Sequence, residues 1–262
     1  MDWHEAKALL DWQIELGATE AIGETPVNRY AQAPERTADP PLAAVAAVAS
    51  DSAAPPDVAM SDPVQAARAA AAAAQDLESL RMAISDFDLC DLKRGARNLV
   101  FADGHPEARV MVIGEAPGRD EDIQGKPFVG RAGKLLDRMF AAIGMDRAAP
   151  DPDHALYIAN VLPWRPPQNR DPRPEEVAMM LPFVERHVAL VAPEILVLMG
   201  NHSCQALLGR RGITRLRGTW AEALGRPALP MFHPAYLLRN PQAKGAAWHD
   251  LLMLRARLKG GN

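Results

Sequence analysis

The chain has 262 residues, is 48% hydrophobic and carries a formal net charge of −4, which suffices to bury one ordinary core and leaves residues over for an appendage. No stretch approaches the roughly 18 apolar residues of a spanning helix, and the N-terminus MDWHEAKALL carries acids where an export signal carries a basic segment, so neither a membrane protein nor a secreted one is expected and a cytoplasmic location is. Two cysteines, Cys90 and Cys204, exclude a disulfide framework and cannot by themselves complete a Cys-only metal site.

Residues 2–16 place Trp3, Leu9, Leu10, Trp12, Ile14 and Leu16 among polar residues at helical spacing, which predicts a short amphipathic helix within an N-terminal region 1–30. Residues 31–61 are rich in Ala and Pro and lack aromatics, the composition of a flexible linker with a reach of about 30 Å. The charge divides with the organisation: residues 1–75 hold four Lys/Arg and eleven Asp/Glu, whereas 76–262 hold 25 and 22. The acidity sits in the appendage, which is expected to dock a partner protein or to shield the basic face.

Asp62 and Pro63 read as an N-cap and first helical position, opening the core domain 62–262 with one alanine-rich helix that runs to about Ser85. Four apolar runs downstream read as strands: Arg109–Gly114, Leu156–Asn160, Ile195–Gly200 and Ala228–His233. Helical patterns occupy Ala132–Ile143, Pro174–Leu190, His202–Leu208 and Ala243–Lys259. Strands alternating with helices predict a mainly parallel four-stranded sheet covered on both faces.

Three of these strands end in polar loops: GEAPGRDED from Gly114, VLPWRPPQNRDPRP after Asn160, and PAYLLRNP after His233. In a parallel sheet such loops converge on one crevice at the C-terminal edge. The first loop lacks both G-x-G-x-x-G and G-x-x-x-x-G-K-[ST], and Pro117 removes an amide donor, so a nucleotide cradle is disfavoured. GRAGK (Gly130–Lys134) is better suited to letting backbone amides, Arg131 and Lys134 approach a phosphate of a polymer.

GEAPGRDEDIQGKPFVGRAGKLL, YIANVL, RPPQNR and HPAYLLRNP, in this order, closely resemble the uracil-DNA glycosylases of the family 4 type, which usually hold an iron–sulfur cluster; the resemblance covers about 85–260. It implies a three-layer α/β/α sandwich, here without any internal repeat, that flips uracil out of DNA and hydrolyses its N-glycosidic bond in base-excision repair. Phe128 would then stack on the flipped ring, Asn160 would read its O4 and N3–H edge, and His233 would donate to O2 as negative charge develops there. Each has a structural alternative: a core aromatic, a turn-capping amide, a backbone-bonded imidazole.

The resemblance also puts Glu115 and Glu121 in the pocket, to position water, oppose a cationic sugar or exclude a C5 methyl, while Asp120 and Asp122 read as solvated turn residues. Ala116 lies where related glycosylases often carry an Asp, which leaves no single general base. Tyr236, Leu237, Leu238 and Arg239 would wedge into the stack or hold phosphate, or else form the apolar entry to the last helix. Arg165, Arg170 and Arg173 are expected backbone contacts. No His occurs between His154 and His187, unlike the branch that traps abasic DNA through a His in this loop, so hydrolytic turnover is favoured.

The departure from the family is the cluster. Its four cysteine positions fall here on Phe87, Cys90, Trp164 and Met180, which is not a ligand set, so no metal and no cofactor are expected and the three apolar side chains are expected to fill the volume by packing. The expected partner is uracil-containing DNA, bound by a monomer. A second reading is a non-catalytic or weakly active DNA- or damage-binding module, against which the intact set Phe128, Asn160 and His233 argues.

Overall fold

The computed structural model describes residues 62–260. The expected N-terminal helix and the Ala/Pro-rich linker lie outside the described residues.

In chain order the elements are α1 (Pro63–Ala73), α2 (Leu77–Asp86), α3 (Leu92–Gly95), β1 (Ala102–Gly104), β2 (Val110–Gly114), α4 (Arg119–Gln124), α5 (Arg131–Ala141), β3 (Leu156–Asn160), α6 (Pro174–Val191), β4 (Ile195–Met199), α7 (Asn201–Leu208), α8 (Ile213–Leu216), β5 (Ala221–Ala223), β6 (Arg226–Met231), α9 (Pro234–Arg239) and α10 (Lys244–Leu258). The single opening helix expected over 62–85 is two helices. Ala74 is extended, and Asp76 opens α2 with a capping box in which its side chain accepts from the Ser79 amide. That local bonding outcompetes continuation through the alanine run.

The sheet has six strands in the order β1-β3-β2-β4-β6-β5. The inner four are parallel and are the four apolar runs of the sequence; β1 and β5 pair antiparallel at the two edges. The expected count of four is corrected by these edge strands, each three residues long with little apolar content, which gives no period to read.

Alternation along the inner strands builds two cores. Met111, Ile113, Tyr157, Ala159, Leu196 and Leu198 face one side and pack with Leu80, Phe183 and Val188 of α2 and α6. Val110, Val112, Ile158, Val197, Leu229 and Met231 face the other and pack with Leu136, Phe140, Leu251 and Leu254 of α5 and α10. Helices on both faces of a mainly parallel sheet make the three-layer α/β/α sandwich.

The strand order positions the site. From β2 the chain moves to β3 on one side and then crosses to β4 on the other, so the connections diverge at the C-terminal end of β2, where an open α/β sheet leaves a crevice. Gly114 pairs with Asn160 across β2 and β3, and Met199 pairs with Met231 across β4 and β6. The residues that follow all four ends therefore meet on one edge.

Candidate functional site

A cleft of about 580 Å³ opens on that edge, lined among others by Glu115, Phe128, Asn160, His202, His233 and Tyr236. Its volume is that of a small-molecule pocket. The three polar loops singled out from the sequence do converge here.

Asn160, the last residue of β3, is 8% exposed, and its Oδ1 is fully buried with no hydrogen-bond partner among the described residues. A buried acceptor without a donor is costly and calls for a ligand that supplies one. Directly beside it, a Cβ on Gly114 would come within 2.4 Å of Oδ1 and 2.6 Å of the Phe128 ring. Glycine is thus required at the strand end so that amide and ring can share one pocket wall.

Phe128 is 5% exposed and has φ 52°, in the left-handed region that a bulky side chain rarely adopts. Two devices hold it there. Arg147, anchored on Asp103 and Asp137, donates Nη1 to the Pro127 carbonyl and Nη2 to the Phe128 carbonyl, both at 2.9 Å. Gly133 in the first turn of α5 lets the helix sit against the Phe128 carbonyl, which a Cβ would overlap at 1.7 Å. The ring ends tilted against His233, with centroids 5.4 Å apart.

His233 precedes α9 and caps it: its Nδ1 accepts from the Ala235 amide at 3.2 Å. An accepting Nδ1 puts the proton of the neutral ring on Nε2. Burial, reinforced by the charges of Arg239 and His202, pushes its pKa down to about 4. At neutral pH the ring is an uncharged Nε2–H donor.

Glu115 follows β2 into the cleft. Burial, with the Asp171 carboxylate adding to it and Arg211 opposing it, raises its pKa to about 7. His202 Nε2 stands 3.7 Å from a carboxylate oxygen of Glu115 and 3.7 Å from one of Asp171, and burial lowers the pKa of His202. Neither Asp171 nor His202 was singled out from the sequence, since each looks like an ordinary loop or helix-start residue until the fold brings three elements together.

Glu121 also borders the cleft, but its carboxylate is committed to backbone. Oε2 accepts from the Gly118 amide at 3.1 Å, and Oε1 from the Val129 and Gly130 amides at 3.0 and 2.9 Å. It closes the loop rather than facing a reacting atom. The same bonds occupy two amides of the glycine-rich turn before α5, which are therefore not free to hold a phosphate; exposed Arg131 and Lys134 remain for that. Asp122, expected as a solvated turn residue, is 6% exposed and accepts from the Arg97 and Asn98 amides at 2.8 and 3.2 Å, tying the segment before β1 to α4.

In the last loop Leu237 is 1% exposed and packs in the core, so the expected wedge role fails for it: a helix turned by residues 234–239 points it inward. Tyr236 and Arg239 border the cleft, and Leu238 is half-buried. Arg170 borders it too, but its guanidinium bonds buried Glu176 (3.0 Å) and the Asp171 carbonyl (2.9 Å), so the expected phosphate contact is here a loop anchor. Arg165 donates to Asn169 Oδ1 at 2.8 Å, Arg173 is exposed, and Ala116 borders the cleft half-buried.

The cluster positions do not fit a four-iron four-sulfur group, which is held by thiolates. Cys90 is fully buried with its thiol pKa raised, first by burial. Phe87, Trp164 and Met180 are 7%, 2% and 1% exposed members of the same core, and Phe87 meets Phe183 edge to face at 5.3 Å. The other cysteine, Cys204, lies on α7.

The sequence profile of the Uracil DNA glycosylase superfamily matches residues 101–252. The chain is 34% identical over 189 residues to the type-4 uracil-DNA glycosylase of Sulfurisphaera tokodaii, covering 68% of this chain and 83% of that protein. It is 36% identical over 181 residues to the type-4 enzyme of Archaeoglobus fulgidus, covering 65% and 87%, and 30% identical over 122 residues to the type-5 enzyme of Thermus thermophilus, covering 43% and 55%. With a cleft built from the residues that carry the resemblance and a profile match across most of the sheet, the chain belongs to the uracil-DNA glycosylase superfamily and stands within it beside the type-4 enzymes.

Proposed function

We propose that the chain excises uracil from DNA by hydrolysing the N-glycosidic bond, with Phe128, Asn160, Glu115 and His233 as the working set. The observation that carries this is the buried, unpartnered Oδ1 of Asn160 beside the Phe128 ring. Uracil N3–H satisfies that acceptor while its O4 accepts from the amide nitrogen; cytosine presents the reverse pattern and leaves both groups unpaired, which costs about 1–3 kcal/mol each. Because a base in a duplex is out of reach, the nucleotide is flipped into the cleft, with Phe128 as its stacking platform.

As the C1′–N1 bond breaks, its electron pair leaves with N1 and charge accumulates on O2. The Nε2–H of neutral His233 donates to that oxygen more strongly in the transition state than before it, which is the kind of interaction that accelerates chemistry. A water oxygen bonds to C1′ and its proton passes to Glu115, whose pKa near 7 suits a base at neutral pH. Charged Glu115 also opposes the cationic sugar. Ala116 and Glu121 shape this wall, with Glu121 acting through the loop it ties.

Arg131, Lys134, Arg165, Tyr236, Leu238 and Arg239 are read as the contacts to the DNA around the flipped nucleotide. The pocket chemistry needs no cluster, and the chain is read as cofactor-free. The test is cleavage of a uracil-containing oligonucleotide followed by alkaline scission at abasic sites, run at several salt concentrations. Cleavage at the uracil position is expected; folded protein that binds this DNA without cleaving it would leave the damage-binding module.

A further inference from the structure

The segment between α7 and α8 carries Arg210 and Arg211, with Arg215 in the short helix that follows. All three are exposed, and among the described residues none has a carboxylate partner within ion-pair distance. Several other arginines of the fold are different. Arg217 is taken up by buried Asp250 and the Ala246 carbonyl, Arg147 by Asp103 and Asp137, and Arg109 by Glu194.

The segment is also held in place. Asn201 Oδ1 accepts from the Gly212 amide at 3.0 Å and the Ile213 amide at 2.9 Å, which staples the start of α7 to the start of α8. Gly209 and Gly212 take φ 66° and 100°, so the turn between them uses backbone conformations open to glycine. The fixed turn borders the cleft: Ile213 lines it, and Arg211 is near enough to Glu115 to oppose the rise of its pKa. Arg215 folds back over Gly212, its guanidinium 3.8 Å from where a Cβ would stand.

We infer that Arg210 and Arg211, on this stapled turn, form a phosphate clamp for the DNA strand where the turn borders the cleft at Ile213 and His202, in addition to the contacts read for Arg131 and Lys134. The inference rests on the uracil-excision reading for the direction of the strand through the cleft, and on charge for its occupant. A polyanion with regularly spaced phosphates satisfies unpartnered guanidiniums that the protein leaves without carboxylates, and guanidinium binds phosphate through paired N–H groups. Such contacts hold register and carry no base preference.

The experiment measures binding of the full chain and of an R210A/R211A variant to a uracil-free duplex across a salt series. Each phosphate contact contributes about 0.9 to the slope of log K against log salt, so the variant is expected to show a slope shallower by roughly 1–2 units, and R210K/R211K to keep most of it. Unchanged slope in R210A/R211A would overturn the clamp even if uracil excision is intact. Equal loss in an R68A/R81A variant, whose arginines lie on α1 and α2, would overturn it too, because net charge and not place would then explain the effect. Absence of uracil excision in the wild-type chain, with the slope difference preserved, would instead remove the excision reading and leave the clamp.

Discussion

At His233 one ring serves both a helix and a reaction. Its Nδ1 caps α9 by accepting from Ala235, and this fixes the proton on Nε2 of a ring that lines the cleft. Replacing His233 with Ala is expected to lower single-turnover excision at least about a hundredfold, the loss of about 3–4 kcal/mol typical of one oxyanion donor, with DNA affinity little changed. The lost cap costs about 1 kcal/mol of stability, so a melting curve run beside the kinetics separates the two roles; a rate loss below tenfold would remove the donor role. Gly114 makes a second residue-scale prediction. Gly114→Ala pushes a methyl into both Asn160 Oδ1 and the Phe128 ring, and a displacement of about 1 Å at a reacting geometry costs on the order of a hundredfold in rate. Near wild-type excision by a folded Gly114→Ala protein would show that amide and ring need not share that wall. Asn160 and His233 were legible in the sequence because they end apolar runs, and Phe128 because it lies in a motif that carries the family resemblance. Arg147 and Gly133 were not, since what they do is hold the positive φ of Phe128, Arg147 from 19 positions away and Gly133 by leaving space for a carbonyl, and no period records either.

The loop from β2 to α5 shows how an element can be functional while its acids are structural. Glu121 ties Gly118, Val129 and Gly130 into one unit, and Asp122 fastens that unit to residues 97 and 98. Hydrogen bonds to a charged acceptor contribute about 1.5–3 kcal/mol each, and because water re-bonds the three part-buried donors in part, Glu121→Ala is expected to destabilise by less than their sum, roughly 2–4 kcal/mol. Excision is expected to fall with it, whereas Glu121→Gln, which keeps one acceptor oxygen, is expected to recover part of both. A stable Glu121→Ala protein with lost excision would move Glu121 into the chemistry. Element by element, the inner strands were readable because strands buried on both faces are continuous apolar runs. The edges β1 and β5 and the helix α4 were not, because runs of three to six residues with at most one large apolar side chain acquire their structure only from the neighbours they pair with or cap.

On the scale of the whole molecule, the ends of β2, β3 and β6 and the loop between α4 and α5 bring one carboxylate, one amide, one imidazole and one ring to a single edge, where the carboxylate and the imidazole set the pH response together. His233, with a pKa near 4, stays neutral through the working range, while Glu115, near 7, does not. A base is active when deprotonated, so excision is expected to rise with pH through about 7 and to level off above it, and Glu115→Gln is expected to flatten that rise. A wild-type profile already flat from pH 5 to 9 would exclude Glu115 as the base.

The same molecular view shows what anchors the loops around the cleft. Loop 161–173 is anchored by Trp164 in the core and by Arg170 on buried Glu176, which also accepts from the Arg173 amide at 2.8 Å. Burial raises the pKa of Glu176, but the bonds from Arg170 and Arg173 prevail and hold it below the usual carboxylate range. Packing and one ion pair thus occupy the ground where the family resemblance puts a cluster, so purified protein is expected to be colourless and iron-free, and chelators are expected to leave its melting temperature unchanged. Trp164→Ala, which empties a buried aromatic site, is expected to cost about 3–5 kcal/mol and to loosen the very loop that borders the cleft. About four irons per chain with the matching visible absorption, or melting that falls on chelation, would show that a cluster is bound and that the apolar side chains do not replace it.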